Sequence, residues 1–283
     1  MTEHEKGILY LCATPIGNLE DMTPRAIRIL QEADLIAAED TRHTRQLLNH
    51  FNITGHLVSY HEHNKEKQGI VLLEELLNGK NIALVSDAGF PGISDPGEAL
   101  AKLCRDKKIR VVPVPGANAA LSALVASGLP ATNFFFGGFL PKSKKNRREK
   151  LEEWKFIPAT MLLYEAPHRI KEVLRDILKF WGDREMAFGR EITKIHEEFY
   201  HGTVSEILKY LEEKDQIRGE FVLVITKTTD EKPADRIRPS DPLDEVLRLI
   251  NDEGLMKKEA LLRVAKEYKV PKRELYNRLL VKE

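Results

Sequence analysis

Between Asn81 and Pro96 the chain reads NIALVSDAGFPGISDP, with two carboxylates, Asp87 and Asp95, set among Gly89, Pro91, Gly92 and Pro96. Glycines let backbone approach a ligand closely, and carboxylates hold hydroxyl or amino groups. The chemistry this loop fits is the binding of something small and polar. Five other segments share its character: Thr14-Pro15-Ile16-Gly17-Asn18, Ala38-Glu39-Asp40-Thr41-Arg42, His61-Glu62-His63-Asn64, Pro115-Gly116-Ala117-Asn118-Ala119 and Glu165-Ala166-Pro167-His168-Arg169. Each follows an apolar run that reads as a strand, and polar loops in register at strand ends predict a cleft. Asn118 also stands where a helix begins, so free N–H groups there can take a carboxylate or phosphate.

Other chemistries lack their signatures. No G-x-G-x-x-G follows the first strand, where Ala13-Thr14-Pro15-Ile16-Gly17-Asn18 stands instead, and there is no Walker A lysine loop. His196 and His201 are five residues apart, whereas two ligands on one helical face need four. His61 and His63 alternate at a strand end and point the same way, but no third ligand is in view, so surface or hydrogen-bonding histidines are expected. Ser86 and Ser94 have no evident base beside them. Metal-free, non-covalent chemistry is the expectation.

The elements that must carry these loops alternate in type. Strand-like runs at 8–12, 35–38, 56–60, 82–85, 109–114 and 133–139 are separated by helical patterns at 24–32, 44–51, 67–77 and 98–107. Thr23 can cap the helix from Pro24, and proline suits the first helical position. The alternation predicts an α/β fold with a mostly parallel sheet and helices on both faces. A proline-rich boundary near 130–141 precedes strands at 161–164, 185–190 and 220–226 with helices at 169–180 and 204–214, a second α/β unit. The expected organisation is therefore an α/β domain over 1–130, a second over 131–228, a charged linker over 229–242 and a helical module over 243–283. Helices at 243–250, 258–266 and 272–280 in that module have helix-turn-helix-like spacing, which suits nucleic acid or packing on the main body equally.

Composition narrows the class. Of 283 residues 42% are hydrophobic and 31% charged, the profile of an ordinary soluble protein. Apolar runs fall short of the roughly 18 residues that span a bilayer, so no membrane partner is expected. The N-terminus lacks the basic start and apolar run of a signal peptide, and Cys12 and Cys104 read as reduced core thiols, which makes cytoplasm the default. Net charge is zero, yet residues 142–150 hold six basic side chains and one acid. That run is either a solvated helix start or a patch contacting the phosphates of a polyanion such as RNA.

The segments ATPIGNLEDMTPRA, AEDTRHT, SYHEHN, SDAGFPGISDPG, PVPGANAA, GGFLP, YEAPHR, GREITKIHEEF and GEFVLVI, in this order, resemble the ribosomal RNA small subunit methyltransferase I family. The resemblance runs from about Gly7 to Lys227, and the helical tail is similar to that family's C-terminal helix-turn-helix domain. One departure is Ala117-Asn118, where the family pattern has Pro-Ser.

The resemblance implies two α/β domains of the tetrapyrrole methylase type, S-adenosylmethionine in the cleft between them, and a homodimer. It implies 2′-O-methylation of a cytidine ribose in the decoding region of 16S rRNA. Pro15, Ser86, Asp87, Ala88, Gly89, Ile93, Asn118, Ala119, Glu165 and Ala166 would hold the cofactor. Asp40, His61 and Asp95 are candidate bases, with Asp95 either near the reacting ribose or bracing its loop. Arg42 and Arg169 would orient the target nucleotide, and Arg190 and Lys194 are further candidate cations. Lys142, Lys144, Lys145, Arg147 and Arg148 become phosphate contacts. A methyltransferase acting on a porphyrin-like small molecule, or a non-catalytic RNA-binding protein of the same fold, are the alternatives.

Overall fold

In a computed structural model, residues 5–227, 241–251, 254–268 and 270–282 are described. The first sheet is built from β1 (Ile8–Cys12), β2 (Leu35–Ala38), β3 (Leu57–Ser59), β4 (Ile82–Val85) and β5 (Arg110–Val114). All are parallel, in the order β3-β2-β4-β1-β5. Every residue of β2 and β4 is buried, which is why these strands read as unbroken apolar runs rather than alternating ones.

Helices α1 (Pro24–Glu32) and α2 (Thr41–His50) cover one face, where Ala26, Ile29, Leu30 and Leu48 meet Ile36, Ala83 and Val85. Helices α3 (Lys65–Leu77) and α4 (Gly97–Asp106) cover the other with Leu72, Leu76, Leu100 and Cys104. Thr23 caps α1 by accepting from the Ala26 N–H, and Pro24 opens the helix as expected. Cys12 and Cys104 are buried and unpaired, and burial pushes their thiols up to about 12 and about 11. Neither is a nucleophile near neutrality.

Helix α5 (Ala119–Ala126) leads to a second sheet of β6 (Phe134–Phe139), β7 (Thr160–Glu165), β8 (Glu185–Arg190), β9 (Glu198–Thr203) and β10 (Phe221–Ile225). Its order is β6-β7-β10-β8-β9. Only β6 and β7 are parallel; the other three pairings are antiparallel. The mostly parallel arrangement expected from strand-helix alternation therefore holds for the first sheet alone. Residues 191–197 are too few for a crossover, so β8 and β9 can only pair as antiparallel neighbours. The segment carrying His201 is this edge strand β9, which sequence patterning did not mark.

Helices α6 (Lys144–Trp154), α7 (Ile170–Trp181) and α8 (Val204–Glu212) cover one face of the second sheet. Ala120, Ala123 and Leu124 of α5 meet Leu162, Val222 and Val224 on the other. Both sheets belong to one compact unit, residues 1–228.

One basic residue of the 142–150 run is not on the surface. Arg147 is 1% exposed, with Nε 2.8 Å and Nη2 2.7 Å from Asp176 Oδ2, and Nη2 2.6 Å from Glu172 Oε1. Arg148 donates to the other oxygen of Asp176 at 3.2 Å. Arg147 thus fastens α6 to α7 and faces no phosphate, contrary to its expected role.

The remaining unit comprises α9 (Pro242–Asn251), α10 (Lys257–Glu267) and α11 (Lys272–Lys282). It has its own core of Leu243, Val246, Leu249, Leu261, Val264 and Leu279. The expected linker lies outside the described residues up to position 240. Among the described residues no helix is long and apolar enough to cross a membrane.

Asp176→Ala leaves the Arg147 guanidinium buried beside Glu172 alone. Breaking a buried pair from one side costs about 3–5 kcal/mol, so thermal unfolding of the variant is expected to begin roughly 10 °C lower. An unchanged Tm would show that Arg147 moves to solvent at no cost.

Candidate functional site

A cleft of about 540 Å³ opens between the two sheets. One wall is made by loops at the carboxyl ends of β1, β2 and β4 and by the start of α5, where open α/β sheets bind ligands. The other comes from the ends of β6 and β7, the β8–β9 connection and the start of β10.

The first wall is laced by backbone and short polar side chains. Thr14 and Gly89 exchange two backbone hydrogen bonds of 2.9 and 3.1 Å, and Thr14 Oγ1 donates to the Ser86 carbonyl at 3.1 Å. The Ser86 hydroxyl turns inward to the Gly89 carbonyl at 3.3 Å, so it holds the loop. Asp87 Oδ1 accepts from the Asp40 N–H at 3.0 Å, which couples the β4 loop to the β2 loop. Asp40 caps α2 by accepting from the Arg42 N–H at 2.8 Å, a bond that holds its carboxyl below the usual range. Asp95 Oδ1 accepts from Gly92 and Gly97 at 2.7 and 2.8 Å. Of the two jobs left open for Asp95, this oxygen performs the bracing. Asn118 caps α5 through the Leu121 N–H at 2.9 Å.

Glu165, at the end of β7, is 2% exposed. Its Oε1 accepts from the Ala166 N–H at 2.8 Å and lies 3.5 Å from Arg169 Nε, while Oε2 is buried without a partner. Burial pushes this carboxyl up against the opposing pull of the Ala166 N–H and Arg169. A buried acceptor lacking a donor is costly unless something fills the cleft beside it.

Ser86, Asp87, Ala88, Gly89, Ile93, Asp95, Asn118, Ala119, Glu165 and Ala166 all line the cleft, so most of the residues expected at a cofactor come together. Pro15 is buried behind its neighbour Ile16, which lines the cleft in its place. Asp40, Arg42, His61 and Arg169 are outside the lining. The Arg42 side chain is 92% exposed. His61 packs edge-on against His63 at 5.9 Å, with its Nδ1 buried and unpartnered. Arg169 donates to the carbonyls of Leu140 and Pro141 at 3.0 and 3.1 Å, so it anchors the chain between β6 and α6. Arg190 pairs with Glu198 at 2.8 Å. Lys142, Lys144 and Lys145 are exposed and Arg148 half-buried.

Sequence reasoning passed over Glu39, Phe139, Tyr164, Glu191 and Glu220, all of which line the cleft. Burial and then the charges of Asp87 and Asp95 push the Glu39 carboxyl up. Lys194 reaches Glu191 at 2.9 Å and Glu220 at 3.4 Å. Glu191 and Thr193 carry φ of 50° and 70°, left-handed values uncommon for non-glycine residues. Gly219 accommodates this turn: at φ 86°, a Cβ there would stand 2.4 Å from Glu191 Cγ. All five lie in the segments that carry the family resemblance, but nothing in their type or spacing marked them individually.

The lining sets six carboxylates, Glu39, Asp87, Asp95, Glu165, Glu191 and Glu220, against one lysine. Such a cleft favours a cationic ligand with some apolar surface. Among the described residues no cluster of three metal-binding side chains is present.

The family model for tetrapyrrole (corrin/porphyrin) methylases matches residues 8–208. A ribosomal RNA small subunit methyltransferase I from Halalkalibacterium halodurans is 50% identical over 279 residues, covering 96% of this chain and 94% of its own length. The protein of that name from Bacillus subtilis is 50% identical over 281 residues, with 99% and 96% covered. The crystal structure of a uroporphyrin-III C-methyltransferase from Thermus thermophilus, complexed with S-adenosylhomocysteine, superimposes with a TM-score of 0.52 at 20% identity, covering 77% of this chain and 97% of that one.

The raised carboxyl of Glu165 has a consequence for stability. A group whose folded pKa lies above its unfolded value, about 4.3 for glutamate, stabilises the fold at low pH and loses that contribution as pH rises through the folded value. Glu165→Gln cannot ionise. It is expected to raise the Tm of the ligand-free protein at about pH 8 and change it little near pH 4.5, at about 2–4 °C per kcal/mol. Equal shifts at both pH values would mean that the charge on Glu165 carries no penalty.

Proposed function

The chain belongs to the tetrapyrrole methylases and, within them, to the ribosomal RNA small subunit methyltransferase I family, and on that premise we propose that it methylates the 2′-hydroxyl of a cytidine in the decoding region of 16S rRNA. The enzyme is S-adenosylmethionine-dependent, and that donor supplies an electrophilic methyl on a positively charged sulfur. The observation that carries the reading is the acidic cleft with the orphaned Glu165 Oε2 at its wall. An ammonium or amino N–H of the cofactor would answer that oxygen, and the surrounding carboxylates would stabilise its positive charge. Ala88, Gly89 and Ala119 are the small residues that would leave room for its adenosine, and Asp87 would be the carboxylate for its polar groups.

The chain's part in the transfer is to orient the 2′-oxygen, exclude water and take a proton. Orientation alone can supply several kcal/mol, up to about 7–11. Asp40 and His61 lie outside the lining, and one oxygen of Asp95 is committed to two backbone N–H groups. Glu39 lines the cleft, has no ion pair among the described residues, and is made more basic by burial and by the charges of Asp87 and Asp95, which outweigh the opposing pull of the Asp87 N–H and His61. It is the carboxylate suited to hold the 2′-hydroxyl proton. Arg42, its side chain 92% exposed and 3.7 Å from Asp40, is available to a phosphate. Lys142, Lys144 and Lys145 form the phosphate-contacting face, Arg148 contributes at its edge, and Arg147 is withdrawn from the set. A homodimer acting in the cytoplasm completes the proposal.

Incubation with labelled donor and small subunits lacking the modification is expected to place label on one cytidine ribose, read as a nuclease-resistant dinucleotide. Label on a base, or none on RNA, would overturn the assignment.

Replacing Lys142, Lys144 and Lys145 together by Gln removes up to three phosphate contacts. Affinity for the subunit is expected to fall and the slope of log K against log salt to flatten by about 2–3. Calorimetric affinity for S-adenosylmethionine should be unchanged. Loss of both affinities would indicate misfolding instead.

A further inference from the structure

One lining residue is out of keeping with the acidic cleft. Phe139 is a large apolar side chain with 57% of its surface exposed, yet it stands at the cleft rather than on a random face. Exposing an aromatic ring to water is unfavourable by the hydrophobic measure, and here the backbone holds it exposed. Gly138 and Leu140 on either side of it are buried, and Leu140 belongs to the core of the second sheet. Between Phe136 and Gly138 the β6–β7 register shifts, and Gly138 takes φ 60°, a left-handed turn that re-aims the next side chain. Arg169 then clamps the carbonyls of Leu140 and Pro141. The ring leans on Tyr164 at 5.5 Å and 57°, which fixes one edge and leaves a face open.

The surroundings identify the chemistry of what would cover that face. Immediately after Phe139 the chain runs into the exposed Lys142, Lys144 and Lys145, three cations within a few residues of an open aromatic ring. Across the cleft mouth, Ser94 lies 3.5 Å from where a Cβ on Gly138 would stand, and the residue before it, Ile93, is 42% exposed. An aromatic face, an apolar side chain on the facing loop and adjoining lysines make up the usual arrangement for an unpaired base whose backbone is held by cations. An enzyme acting on one ribose must separate that nucleotide from its stacked neighbours, and an apolar or aromatic surface replaces the lost stacking.

We propose that Phe139 is the stacking platform for the base of the nucleotide being methylated, presented by the Gly138 bulge and the Arg169 clamp. The proposal rests on the RNA substrate reading above. Phe139 touches the base and positions its ribose over the cleft; it takes no part in the transfer of the methyl group or the proton.

The test compares Phe139→Ala, Phe139→Leu and Phe139→Trp in the full chain. Stacking on an aromatic predicts that Ala and Leu both weaken binding to unmodified small subunits, roughly 5- to 100-fold, while Trp retains it. The salt dependence of binding stays that of the wild type, because no charge is removed, and S-adenosylhomocysteine affinity by calorimetry is unchanged. Leu equal to Trp would overturn the proposal in favour of a merely apolar cover. A fall in S-adenosylhomocysteine affinity would overturn it by moving the ring to the cofactor, and conversion of a dimer to monomer in sedimentation would move it to a subunit interface. If the wild type methylates subunits and Phe139→Ala does so equally well, stacking alone is overturned. If the wild type neither binds nor methylates them, the substrate reading falls and the platform with it.

Discussion

The paired backbone bonds between Thr14 and Gly89 are the constraint on which the cleft depends. Parallel strands end side by side without any turn joining them, so loops leaving β1 and β4 have no covalent reason to stay together. The Thr14–Gly89 bridge supplies one, and the Thr14 hydroxyl adds a bond to the Ser86 carbonyl from the same buried position. From there the tie passes outward through carboxylates. Asp87 accepts from the Asp40 backbone, and Asp40 accepts from the first turn of α2. Two loops from different strands and one helix start are thereby held in one register. A charge-assisted bond to a backbone N–H is stronger than a neutral one, which suits a wall that must keep its shape while charged groups bind against it.

The facing wall achieves the same end by strain. Glu191 and Thr193 hold left-handed backbone values, and Lys194 is fastened between Glu191 and Glu220. Burial opposes both charges there, yet the pair keeps the Glu191 carboxyl below its ordinary range and the Lys194 ammonium above it. The lysine thus stays charged and engaged, leaving the field of the cleft acidic overall. Strain of this kind persists only where surrounding packing over-determines it. Here the packing comes from the short β8–β9 connection, whose antiparallel pairing leaves no slack.

What could be read from the chain followed from how local each feature is. The strands of the first sheet and the loops beyond them were legible because a buried parallel strand is an apolar run and its loop is a polar, glycine-containing break. The second sheet was less so. Strand β9 lies at an edge with its residues partly exposed, and its polar–aromatic sequence has no clean alternation. Arg147 was misread because a basic run looks solvated; its partner Asp176 is 29 residues away, and only tertiary packing brings them together. Arg169 and Asp95 were legible as polar residues at strand ends but not as backbone clamps, since the carbonyls and N–H groups they bind carry no signature in sequence. Glu39 had no pattern to distinguish it from Asp40; only the folded loop turns one of them to the cleft and the other to the start of α2.

A protein with no net charge can serve a cationic cofactor and a polyanionic substrate only by separating its fields. Six carboxylates line the cleft, and Lys142, Lys144 and Lys145 stand outside its lining, between the end of β6 and the first turn of α6. Had those lysines lined the cleft they would have paired with its acids, and neither field would survive for a ligand. The burial of Arg147 follows the same logic. Its charge is absorbed by Asp176 and Glu172 beneath α6, so the helix that presents the lysines is fixed without adding a cation near the cleft. Phe139, uncharged, lines the cleft three residues before the first of these lysines. A nucleotide has its negative charge on one side and an uncharged base on the other, so under the stacking proposal an apolar ring beside the lysines would let it approach the cleft with its phosphate outside.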